Sequence, residues 1–94
     1  MPHADRDYDM IGIKLAYYQK KDWQRFINII NDRENIHDTW HDWHKAFEKT
    51  KTDLINQGFK VIDIVVDLDE LTQYCKLQGI KNDGRARSQF VQAN

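Results

Sequence analysis

Ninety-four residues, 40% of them apolar and 12% aromatic, describe one folded domain with a modest core and exclude a disordered chain. The 14 basic and 15 acidic side chains leave a net charge of −1, which excludes a strong bulk pull on nucleic acid or membrane. No apolar run approaches the roughly 18 residues of a transmembrane helix, the opening MPHADRDYD lacks the apolar stretch of a secretory signal, and the single cysteine, Cys75, forms no internal disulfide; the setting read from this is reducing and cytoplasmic.

Residues 1–9 read as a flexible lead-in and residues 10–94 as one compact domain. The stretch MIGIKLAYY alternates, with Ile11, Ile13, Leu15 and Tyr17 on one side and Gly12, Lys14, Ala16 and Tyr18 on the other. Period two predicts a half-buried strand, with a helix as the rival reading. The period then changes. Trp23, Phe26, Ile27 and Ile30 fall on one face of a helix, with Asp22 as its N-cap or first-turn acid.

The next helix carries the clearest pattern. Ile36, Trp40, Trp43, Phe47, Thr50 and Leu54 step by four and three, a continuous stripe with Asp38 as a cap and Gly58 at the far end. FKVIDIVV is rich in β-branched residues and predicts a strand with Ile62, Ile64 and Val66 on one face and Val61, Asp63 and Val65 on the other. Both faces are largely apolar, so both are expected to need cover. Asp63 must meet solvent, a strand edge or a cation. Asp67 and Glu70 then open a helix as a capping box does, and Gly79 closes it. Asn82 or Asp83 starts a last short helix whose inner side is Ala86, Phe90 and Ala93.

The fold expected is a small α+β domain: about four helices on a short two-stranded sheet, in the order β-α-α-β-α-α, with a core of Trp23, Trp40, Trp43, Phe47, Ile64 and Leu71. Two strands alone are marginal in water. Dimerisation that pairs their edges would complete the sheet, and a homodimer is therefore the expected state.

Three groups of residues invite chemistry. His37, His41 and His44 follow i, i+4, i+7 on the expected helix, with Glu48 one turn on. An i,i+4 histidine pair can reach one zinc ion, but the third lies about 10 Å along the axis from the first, so a ligand from elsewhere, such as His3 or Glu34, would be required. The row lies about 100° round from the tryptophan stripe. Its ordinary role is packing at the core boundary; a metal site and a pH-sensitive contact surface are the alternatives. Lys81, Arg85 and Arg87 surround a turn and a helix start, where an anion or a nucleic-acid backbone could bind. Lys14, Lys20, Lys21 and Arg25 interleave with Tyr17, Tyr18 and Trp23, a weaker pattern of the kind that binds single strands.

Cys75 reads as a core residue, without a neighbouring base to make it a nucleophile. Asp67, Asp69 and Glu70 suit a helix N-terminus better than a magnesium site. No acid, base and nucleophile assemble, so no catalysis and no cofactor are expected. The leading expectation is a non-catalytic interaction or adaptor domain that self-associates with a second copy. The alternatives are a nucleic-acid-associated regulator using Lys81, Arg85 and Arg87, and a metal-binding protein using His37, His41 and His44.

Overall fold

A computed structural model describes residues 11–94. The lead-in expected over 1–9, and His3 with it, lie outside the described residues. Strand β1 runs Gly12–Tyr17, helix α1 Trp23–Ile29, α2 Trp40–Asn56, strand β2 Lys60–Val65, α3 Leu68–Gln78 and α4 Gly84–Gln92. Short 3-10 turns at Lys20–Asp22 and Arg33–Asn35 precede α1 and α2. The architecture is the α+β domain read from the sequence, in the order β-α-α-β-α-α. Among the described residues no helix is long and apolar enough to cross a membrane.

The two strands pair in parallel, Gly12 against Lys60 through Tyr17 against Val65. Parallel neighbours need a long crossover, and α1 and α2 supply it. The bonds from Lys60 N to the Ile11 carbonyl and from Val66 N to the Tyr17 carbonyl fix the parity. Alternate residues of a strand turn their main-chain groups to opposite sides. Lys60, Ile62 and Ile64 therefore bond toward β1, while Val61, Asp63 and Val65 turn theirs to the outer edge of β2. On β1 it is Gly12, Lys14 and Ala16 that face outward.

The core gathers Tyr18, Trp23, Phe26, Ile30, Trp43, Phe47, Val66, Leu68, Leu71, Cys75, Ala86, Phe90 and Val91. Phe26, Leu71 and Val91 are its most enclosed side chains, each contributing on the order of 1.5–3 kcal/mol by burial. Trp43 is the hub: its ring lies 5.2 Å from Tyr18, 5.9 Å from Trp23 and 5.2 Å from Phe47. Of the six residues expected at the centre, Trp23, Trp43, Phe47 and Leu71 are buried, and Trp40 and Ile64 pack from its margin. Trp40 stays at the rim because its indole Nε1 donates to the Tyr18 carbonyl at 2.8 Å, which ties it to the end of β1.

Several local expectations change. Helix α2 starts at Trp40, with Thr39 as N-cap accepting from Asp42 N at 3.1 Å. Asp38 does not cap it, because its carboxylate faces Arg33 at 3.4 Å. The Arg33 guanidinium also donates to the Ile36 carbonyl at 3.1 Å, which holds residues 36–38 out of the helix. Ile36 still packs against the core, so the stripe persists where the helix does not. Asp22 makes no side-chain cap to α1; it ends the 3-10 turn instead.

Cover of the two strands is also the reverse of the expected pattern. α4 packs along β1, leaving every residue from Ile13 to Tyr17 part-buried and Tyr18 fully so. β2, read as covered on both faces, exposes 37% of Ile62 and 53% of Val65.

Candidate functional site

The three histidines do not form one helix row. His37 precedes α2, and only His41 and His44 lie on it. The His44 ring stacks on Trp40 at 4.5 Å and meets Tyr17 edge-on at 6.0 Å. Its Nε2 lies 3.8 Å from Glu48. His41 is exposed. The arrangement is a boundary shelf: one imidazole wedged against the indole and one beside it in water. Among the described residues no three His, Cys, Asp or Glu side chains are placed to hold a metal ion together.

The basic group separates too. Arg87 is buried and leaves any anion-binding surface. Its Nη2 and Nη1 meet the two Asp32 oxygens at 2.8 and 2.9 Å, and Nη1 also reaches the Asn82 carbonyl at 3.0 Å. Asp32 further accepts from Gly84 N at 3.1 Å. Asn31 and Asn82 exchange bonds, each 2.8 Å, between main-chain amides, a main-chain carbonyl and a side-chain oxygen. A bidentate pair of this kind is geometrically specific. Here it clamps the turn after α1 to the start of α4. Burial alone would raise the Asp32 carboxyl, but the Arg87 hydrogen bonds and charge outweigh it and hold it below the ordinary carboxylate range. Lys81 and Arg85 remain exposed and line a hollow of about 440 Å³ with Ile80, Asp83 and Gln89.

Several of the other charged candidates have found partners. Lys51 donates to Asp63 at 2.9 Å, which answers the question posed by that aspartate and raises the Lys51 pKa. Asp67 caps α3 by accepting from Glu70 N at 3.0 Å. Asp69 pairs with Arg25, whose pKa rises through that hydrogen bond. Asp67, Asp69 and Arg25, with Lys21 and Asp22, line a hollow of about 410 Å³ at the carboxyl ends of the strands, where opposite charges largely cancel. The interleaved basic and aromatic face does not survive as a stacking surface. Tyr18 and Trp23 are buried, and Lys14 donates to the Asn94 carbonyl at 2.6 Å. Cys75 is buried, and burial pushes its thiol up, away from the reactive thiolate.

Among the described residues, the outer edge of β2 stands open. On β1, the Gln92 amide donates to the outward Lys14 carbonyl at 3.1 Å and α4 packs along the strand, so the middle of that edge is occupied by the chain itself. Among the described residues no hydrogen bond reaches the outward main-chain groups of Val61, Asp63 or Val65. Exposed Ile62 and Val65 flank them on opposite faces. Unpaired amides and carbonyls between apolar side chains form a template for another strand. The sequence pattern alone misses this edge, because FKVIDIVV reads equally well as a central, covered strand; its two charged residues, Lys60 and Asp63, are the ones that suit an edge.

No protein-family model, no curated protein and no solved structure matches this chain.

Proposed function

We propose that this domain is a non-catalytic interaction module that self-associates in a reducing compartment. The observation that carries the reading is the open outer edge of β2 with apolar side chains on both faces. The occupied state of the polar groups supports it. Arg87, Asp32, Asp67, Asp69 and Arg25 each hold a structural partner, and Cys75 is sealed in the core. Light scattering over a dilution series is the test. Self-association gives a mass near twice 11.3 kDa that falls on dilution. A mass of 11.3 kDa at every concentration overturns the reading.

A second reading, binding to nucleic acid, is favoured by one observation: Lys81 and Arg85 share a hollow and have no ion-pair partner among the described residues. It predicts affinity that falls steeply with salt and is lost in Lys81→Ala/Arg85→Ala. Arg87 is no part of it. Salt-insensitive binding, or none, removes this reading.

A further inference from the structure

Resting on the self-association reading, we propose that β2 pairs antiparallel with β2 of a second copy across a two-fold axis, giving a four-stranded sheet in the order β1-β2-β2-β1. The edges of the two-stranded sheet are unequal. On the β1 edge Gln92 occupies the Lys14 carbonyl and α4 packs along the strand, whereas the β2 edge leaves the groups of Val61, Asp63 and Val65 free among the described residues. A strand added there meets every one of them, and an isologous contact makes the same surface serve both copies.

The side chains fit one register in particular. Pairing centred on Asp63 sets Val61 opposite Val65 of the second copy on one face, and Ile62 opposite Ile64 on the other. Opposed β-branched pairs are the favourable cross-strand contacts. A register centred on Ile62 instead sets Asp63 against Val61 and Lys60 against Ile64, mismatching charge with apolar surface.

The central aspartates decide whether the first register is tolerable. Directly opposed like charges repel, and a lone inward acid is a device that keeps edges apart. Asp63 is not alone. Its carboxylate holds Lys51 of α2 at 2.9 Å, with both side chains about one-third exposed. The two-fold therefore brings together two aspartates and two lysines, a cluster with no net charge, in which each ammonium lies between its own carboxylate and that of the second copy. The feature that would bar self-pairing is neutralised from within the fold, so the partner that fits is a second copy carrying the same ion pair.

Three measurements on the full chain test this. First, Val65→Lys places a charge opposite Val61 of the second copy without touching the bonds to β1. It is expected to reduce the mass to 11.3 kDa while the melt stays cooperative. Second, Asp63→Cys/Lys51→Ala, which removes both halves of the ion pair, in a Cys75→Ala background is expected to form a disulfide-linked dimer on mild oxidation, because the two central positions are in cross-linking range in this register. Third, the amides of Val61, Asp63 and Val65 are expected to become protected from hydrogen exchange as concentration rises. Protection that is equal at all dilutions, the sign that residues 1–10 of the same chain cover the edge, overturns the proposal. So does a folded Val65→Lys that keeps the doubled mass. In that case the native dimer stands and only its placement on β2 fails. A native chain that scatters as a monomer removes both.

Discussion

Arg87 shows how a single side chain can reverse its expected role. By sequence it is the third cation of a surface cluster; in the fold it is 4% exposed and joined to Asp32, 55 positions earlier. Composition around a residue does not tell which carboxylate will reach it through the core, so this pair was not legible. Removing one partner of a buried ion pair strands the other. Arg87→Met is expected to cost ~3–5 kcal/mol in a urea titration, and Asp32→Leu/Arg87→Met to recover much of it. Tyr18 supplies a second, independent readout. Burial pushes its phenol from 10.0 to about 12, although the Arg87 charge beside it pulls the other way. The folded state thus favours the protonated phenol. Its contribution is complete below pH 10 and is lost as pH rises from about 10 towards 12, by on the order of 2–3 kcal/mol. Alkaline denaturation should show this loss, and Tyr18→Phe should flatten it within that window. Trp43 was legible, since it sits mid-stripe between Trp40 and Phe47, where a row of rings on one helix face turns inward. Trp43→Ala is expected to cost ~3–5 kcal/mol, read as a large fall in the thermal midpoint.

At the level of elements, ends were harder to read than faces. The turns of α3 and α4 behave as their residues suggest: Asp67 and Asp83 accept from the third amide of each helix, and Gly79 closes α3 at φ 66°. A β-carbon there is strained, and Gly79→Ala is expected to cost about 1 kcal/mol, measured by chemical denaturation. The start of α2 departs from the sequence pattern because a hydrophobic period reports which side chains turn inward, not which residues are helical. Ile36 keeps the spacing from outside the helix, and His37 therefore does not share a helix face with His41 and His44. The strands are legible, but their relative cover is not. Residues 60–66 look like the centre of a sheet, and only the position of α4 along β1 shows that β1 is the sheltered strand.

For the whole molecule, order and class were legible because each segment has a distinct period. Which strand edge would remain open was not, since that depends on where the last helix settles. Among the described residues the sheet has two strands, and the helices do not cover all of it. Self-association through β2 is the outcome expected at this scale, and the concentration dependence of scattered mass checks it. Residues 82–92 bring the Asn82 and Arg87 clamp and the Gln92 amide that occupies the Lys14 carbonyl on β1. Until this segment docks, Asp32 has no guanidinium and, among the described residues, both borders of the sheet lie bare, so a folding intermediate with the last helix undocked presents two adhesive strands instead of one. Clean maturation then hangs on how fast that helix settles relative to encounters between chains.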